Sequence, residues 1–204
     1  LNASGDDDGE KGGKIVIKGE QVRFLADASL IASGRAGGGQ VIVGAANADD
    51  PSALEPGASQ ITIEEGAWIA ADGTVSGDGG FVYLAAEEFL EVLGTVSARG
   101  GVAGGDGGEI QVASEGTLAV GQAPDAGARS ADGSGGLLKL EAPEFEIAGQ
   151  PTVSAPDGTG VSGLGADVVA DALETGQTVE IVATGATEAN PDAVGDLTVA
   201  DAIE

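Results

Sequence analysis

The chain has 204 residues, of which 34 are acidic and 8 basic, giving a formal net charge of −26, and it contains neither cysteine nor histidine. That charge excludes nucleic acid and anionic membrane surfaces as natural partners, while the missing residue types exclude a disulfide framework, thiolate metal sites and the commonest general base. Hydrophobic residues make up 42% of the chain but aromatic ones only 3%, with no methionine, so the core is expected to be thin and aliphatic, as in a stack of repeats.

The 37 glycines show no three-residue period, which rules out collagen. They cluster in pairs that each precede a short β-prone run: Gly12-Gly13, Gly38-Gly39, Gly79-Gly80, Gly107-Gly108 and Gly135-Gly136. The offsets are 26, 41, 28 and 28 residues. The long one implies an insertion, and Ala45 to Ser59, with two prolines and no β-period, has the composition of a surface loop.

In chain order, the runs after the glycine pairs are Lys14–Ile17, Gln40–Val43, Phe81–Leu84, Glu109–Val112 and Leu137–Leu140. Their second and fourth places are always Ile, Val or Leu, whereas the first and third vary, which is the period of a strand with one buried face. Stacking in register creates two inward columns: Ile15, Val41, Val82, Ile110, Leu138 and Ile17, Val43, Leu84, Val112, Leu140. A slip of one residue turns either column to solvent. A second apolar run follows in each repeat: Val22–Leu25, Ile61–Ile63, Phe89–Leu93, Thr117–Val120 and Phe145–Ile147. A third run comes next: Leu30–Ala32, Thr74–Ser76, Thr95–Ser97, a degenerate Ala128–Ala131, and Thr152–Ser154. Three short strands per repeat of about 28 residues, joined by Gly, Asp and Ser turns, predict an all-β fold, a parallel β-helix (β-solenoid) with three short strands per coil. The regular coils are expected over residues 1–160. From 161 to 204 the repeat fades into altered coils: a short helical turn over Asp167–Thr175 ended by Gly176, then strands over Thr178–Val182 and Asp196–Val199.

No run approaches the roughly 18 consecutive apolar residues of a membrane span, and Leu1 does not begin a signal peptide. The absence of methionine and the strand-like ending Ala202–Glu204 lead us to expect a piece of a longer polypeptide.

The segments GDGGFVYLAAEEFLEVLG (Gly77 to Gly94) and GTVSARGGVAGGDGGEIQV (Gly94 to Val112) resemble the passenger repeats of two-partner-secretion exoproteins, the filamentous-haemagglutinin-like adhesins. The tail from Val168 to Ile203 is similar to a segment of those proteins in which an "ALN-G" turn, a strand and a "GDI-V" strand follow one another. The resemblance implies a right-handed β-helix, export through an outer-membrane barrel partner, and an extracellular or cell-surface role in adhesion, aggregation or filament formation. This chain carries fewer aromatic residues than such repeats usually do, and their amino-terminal secretion domain is not recognisable in it.

Candidate sites are few. Asp6, Asp7 and Asp8, with Asp78, Asp106 and Asp132, fall at glycine turns where stacking can align carboxylates for Ca²⁺; the competing reading is that Asp and Gly are good turn residues. Gly104 to Ile110 faintly resembles the calcium-binding glycine-aspartate nonapeptide but lacks its tandem repetition. Phe81 and Tyr83 take outward places beside Val16, Ile42 and Leu137 and form a possible contact surface, unless the inserted loop folds over it. No carboxylate pair stands out from the general acidity and the eight basic residues show no catalytic spacing, so no catalytic residue and no cofactor is assigned. Arg99 is expected to satisfy carbonyls or pair with a neighbouring Asp. The expected partners are the secretion barrel, further copies by end-to-end stacking, and glycans or a host surface. Polysaccharide cleavage is the weakest alternative.

Overall fold

A computed structural model describes residues 1–49, 54–148, 162–187 and 197–199. The first two repeats contribute β1 (Lys14–Ile17), β2 (Gln21–Phe24), β3 (Ser29–Ile31), β4 (Gln40–Val43), β5 (Ala58–Ile63) and β6 (Trp68–Ala70). The next three contribute β7 (Phe81–Val92), β8 (Thr95–Ser97), β9 (Glu109–Ser114), β10 (Thr117–Val120), β11 (Leu137–Ala142) and β12 (Phe145–Ala148). After these come β13 (Ser162–Gly165), helix α1 (Ala166–Glu174), β14 (Thr178–Ala183) and β15 (Leu197–Val199).

The chain is therefore mainly β, and each pairing between these strands is parallel. One ladder runs β1, β4, β7, β9, β11, β14. A second runs β2, β5, β7, β10, β13, β12, β15. A separate three-stranded sheet joins β3, β6 and β8. Because β7 is continuous over twelve residues, it belongs to both long ladders and merges them into one twelve-stranded sheet. The apolar pattern predicts two short runs there. Ala85 and Ala86 fill the junction as buried small residues, and a register shift opposite Ala58 and Gln60 absorbs the change of direction.

Register in the first ladder follows the alternation of apolar residues. Ile15 pairs with Val41, Val41 with Val82, Val82 with Ile110 and Ile110 with Leu138, while Ile17, Val43, Leu84, Val112 and Leu140 form the parallel column. Val179 and Ile181 continue both columns on β14. Except for Ile17, Val179 and Ile181, which are half-buried, these side chains lie in the core with Ile61, Ile63, Leu90, Val92, Leu118 and Val120 from the second ladder.

Between the small sheet and the first ladder the chain turns on its glycine pairs. The second glycine of each pair donates its N–H to the carbonyl of an alanine earlier in the chain: Gly13 to Ala3, Gly39 to Ala32, Gly80 to Ala71, Gly108 to Ala98 and Gly136 to Ala126, at 2.7–2.8 Å. Ala32, Ala71, Ala98 and Ala126 are fully buried. In the first four pairs the first glycine is pressed against the alanine carbonyl of the following repeat, so that a Cβ on Gly79 would sit 1.9 Å from the Ala98 oxygen and one on Gly107 1.7 Å from the Ala126 oxygen. Neither position admits a side chain without moving backbone. The residue after each pair then donates to the second glycine of the preceding repeat, as Phe81 does to Gly39 and Glu109 to Gly80, both at 2.9 Å.

Several local expectations are corrected. Thr74–Ser76 is a bend, and the strand of that repeat is β6, whose Ile69 lies between Leu30 and Val96 in a buried column. In the fourth repeat the small sheet continues as a single bridge from Ser97 to Asp125, not at Ala128–Ala131. Ala58 and Ser59 belong to β5, which shortens the inserted loop. The simple repeat also places Phe145–Ile147 directly on β10, but β13 lies between them. The Ser162 hydroxyl accepts the Leu118 N–H there at 2.9 Å. With one apolar residue in Ser-Gly-Leu-Gly, β13 carries no periodic signal. Thr152–Ser154 lies outside the described residues.

Helix α1 is a full nine residues. It buries Val168, Val169 and Ala172 in the same core, and Gly176 ends it with a φ of 75°. Just beyond, the buried Gln177 accepts the Ala126 N–H through Oε1 at 2.8 Å and donates through Nε2 to Thr175 Oγ1 at 2.6 Å. A side chain thus takes, one level beyond Asp125, the accepting role that the Asp125 carbonyl plays for the Ala98 N–H.

These contacts predict a sharp contrast between two glycines in urea unfolding. Gly107→Ala is expected to lower stability by about 2–3 kcal/mol through the backbone clash. Gly19→Ala, where the nearest atom to an added Cβ is Val22 Cγ2 at 3.4 Å, is expected to stay within about 0.5 kcal/mol of the parent.

Candidate functional site

The outward side chains of the first ladder stack as strictly as the inward ones. The third places align as Val16, Ile42, Tyr83, Gln111, Lys139 and Glu180, so one face of the sheet grades from aliphatic through aromatic to amide and charged. The inserted loop covers the apolar half. An antiparallel bridge between Ala45 and Pro56 closes its base, and Lys14 and Lys18 tie it down by donating to the carbonyls of Ala48 and Ala46 at 2.7 and 3.1 Å. Beneath it Ile42, Tyr83 and Ala85 form a second core with Ala45 and Ala48, against which Leu54, Phe81 and Ala113 pack.

The expected contact surface is thereby altered. Tyr83 is only 4% exposed, because the loop lies over its ring, and Phe81 is half-buried. Of the outer stripe only Val16 is exposed, with Leu137 half-buried. The apolar stripe is an interior for the loop more than a face for a partner.

Where the loop stops, a groove of about 490 Å³ opens. Tyr83, Gln111, Lys139 and Glu141 line it from the sheet, Leu54 and Pro56 from the loop, and Glu115 and Thr187 from the far side. Lys139 and Glu141 pair at 2.9 Å, and this hydrogen bond raises the lysine pKa and holds its charge. Gln111 donates to Glu109 at 2.5 Å. The Tyr83 hydroxyl has no hydrogen-bond partner among the described residues. Burial, followed by the negative charges of Glu141, Glu115 and Glu55, pushes its pKa up to about 12. The phenol therefore stays protonated and able both to donate and to accept. Sequence reasoning missed Gln111, Lys139 and Glu141 as a group, although the aligned third places already set the first two beside Tyr83.

A second, shallower groove of about 850 Å³ follows the glycine pairs from Lys11 to Leu137. Each of its glycine N–H groups already donates to a backbone carbonyl. Its glycine floor has no spare N–H to offer a ligand.

Two of the six turn aspartates, Asp78 and Asp106, hold backbone. Asp78 Oδ1 accepts the Asp106 N–H at 2.9 Å, and Asp106 Oδ1 accepts the Ser134 N–H at 2.8 Å, so each carboxylate ties one repeat to the next. At Asp132 the backbone N–H donates to Ser130 Oγ at 3.3 Å. Asp8 pairs with Arg35 at 2.7 Å, Asp7 donates its N–H to Glu10 at 3.3 Å, and Asp6 is exposed. Among the described residues no group of three or more carboxylates converges in a metal-binding arrangement, and no described helix is long and apolar enough to cross a membrane.

Arg99 has a defined structural partner. It grips the buried Asp72 through Nη2 at 2.8 Å, Nε at 3.1 Å and its own backbone N–H at 2.8 Å. Asp72 is 3% exposed, so its carboxylate depends on this partner. Arg129 reaches back along the same side and donates to the carbonyls of Gly100 and Gly73.

Tyr83 is the only tyrosine in the chain, which makes its ionisation directly readable. Titrated by phenolate absorbance, the native protein is expected to ionise near pH 12 and the urea-unfolded chain near the ordinary value of about 10. Because the unfolded state releases the proton first, stability is expected to fall as pH rises from about 10 through about 12, and Tyr83→Phe to remove that part of the fall. No protein-family model matches this chain, and no curated protein is significantly similar to it.

Proposed function

We propose that the chain is a stretch of right-handed parallel β-helix, three short strands per coil, that forms part of the shaft of a secreted adhesin. The observation that carries this reading is the one-repeat offset of the strand pairs: β1, β4, β7, β9 and β11 follow each other in chain order, each stacked in parallel on the one before. A right-handed turn between them agrees with the strong handedness of parallel crossovers. Six or seven stacked levels at about 4.8 Å each span roughly 30 Å along the axis.

A shaft needs uniform backbone packing along one direction and a surface that stays soluble when many copies crowd together. The glycine corners supply the first, and the charge of −26 supplies the second. The likeness of Gly77–Val112 to filamentous-haemagglutinin-like repeats supports export through an outer-membrane barrel partner and display at the cell surface. A chain without cysteine also threads unfolded through such a partner with no disulfide to undo. Among the described residues β1 and β14 each have one unpaired edge, which adjoining sequence or a second copy can complete. End-to-end stacking into filaments is part of the proposal.

Attachment is the test. Microspheres coated with the purified chain are expected to clump with each other and to adhere to cell or glycan-bearing surfaces above albumin-coated controls, with clumping growing as coating density rises. Dispersed beads with control-level attachment at every density contradict an adhesive shaft.

A further inference from the structure

We propose that the groove beside the inserted loop is a carbohydrate site that takes a neutral glycan. In this assignment the Tyr83 hydroxyl, the Gln111 amide and the Glu141 carboxylate bind sugar hydroxyls, while Leu54 and Pro56 pack against the C–H face of a ring.

Three observations carry it. The first is the Tyr83 hydroxyl itself, on a side chain 4% exposed that lines the groove and has no partner among the described residues. Its oxygen opens on the groove and not into the core, so a ligand hydroxyl there can take the place of water. The second is the mixture of groups. At about 490 Å³ the groove is within the range of small-molecule sites, and its donors and acceptors stand side by side on a flat sheet. Sugars carry donor-acceptor hydroxyls along one edge and apolar C–H groups on the faces of the ring, which matches a polar floor beside an apolar wall. An apolar ligand would take water from Gln111, Lys139 and Glu141 and offer no hydrogen bond in return.

The third is charge, which selects among sugars. Lys139, the one cation lining the groove among the described residues, is paired with Glu141, and Glu115, Glu141 and Glu55 all act on Tyr83 through their negative charge. Uronate, sialylated and sulfated glycans are repelled by these carboxylates and by the chain as a whole. A neutral sugar is not, and vicinal hydroxyls donate well to a carboxylate. The inserted loop then has a use beyond covering Ile42 and Tyr83: it builds the wall that turns a flat ladder face into a concave one.

The assignment deepens the adhesive part of the reading above but rests on the groove's geometry, so the two can fail separately. The experiment presents the whole chain to an array of immobilised neutral glucans, mannans, galactans and N-acetylated oligosaccharides beside polygalacturonate, sialylated and sulfated glycans. The tightest neutral binder is then titrated calorimetrically against the parent, Tyr83→Phe and Glu141→Gln, with melting curves for each. The expected result is retention of at least one neutral glycan in preference to every acidic one. Tyr83→Phe is expected to weaken it fivefold or more, and Glu141→Gln tenfold or more, with melting temperatures close to the parent's. The Tyr83→Phe variant keeps the aromatic ring in its packing, so loss of binding cannot be ascribed to a collapsed loop. No neutral binder, a preference for acidic glycans, or parental affinity in both variants overturns the site. Beads that adhere while the array stays blank overturn the glycan site alone, and glycan binding by beads that neither clump nor attach overturns the shaft alone.

Discussion

The structure depends on a backbone contact at one corner, where a buried alanine carbonyl meets the N–H of the second glycine in each pair. The contact recurs from Ala3 and Gly13 to Ala126 and Gly136 with almost no variation in length. One such bond contributes only about 1 kcal/mol net, so its importance is geometric. It sets where the next strand starts, and the alanine carbonyl of the following repeat packs so close on the first glycine, from Gly12 to Gly107, that no Cβ fits there. Once that start is set, the residue after each pair lands on the glycine of the preceding repeat. Val82 then has to fall between Val41 and Ile110.

From that constraint the two faces of the first ladder follow. Inward, β-branched and leucine side chains stack on their own kind, and the core takes in only Phe24 and Phe145 as aromatic members among the described residues. Outward, the same register sets Ile42, Tyr83, Gln111 and Lys139 in line, whatever their chemistry. The apolar members of that line are a liability on an exposed sheet, and the inserted loop removes it by covering Ile42 and Tyr83 under Ala45 and Ala48. The groove is the edge of that cover. Acidic side chains near corners take on structural work as well: Asp78 and Asp106 accept backbone N–H groups from the next repeat, and Asp72 is held by Arg99.

Much of this is legible in the residues. Paired glycines and a strict alternation of two specify the first ladder residue by residue, including both inward columns, because burial on one face admits only one register. The second ladder is legible through β10, where apolar runs coincide with strands. Legibility fails where the signal is not apolar periodicity. Thr74-Val75-Ser76 imitates Thr95-Val96-Ser97 but forms a bend, since Trp68-Ile69-Ala70 already fills the level between Leu30 and Val96. The strand Ser162–Gly165 is held by backbone pairing and by one serine hydroxyl, neither of which has a pattern. In the buried alanine column Ala32, Ala71 and Ala98 each lie two places after Leu30, Ile69 and Val96, but alanine is too weakly apolar to mark the column by itself. For the groove, the sequence offers Tyr83 either as a contact residue or as a residue covered by the inserted loop, and its outward strand place alone does not choose between the two.

Hydrogen exchange in the native protein tests the corner directly. If these contacts set the register, the amides of Gly39, Gly80, Gly108 and Gly136 are expected to exchange as slowly as those of Val82 and Val112, and all to do so only through global unfolding. Glycine amides that exchange by local opening, orders of magnitude faster than the strand amides beside them, would show that the strands hold the corners and not the reverse.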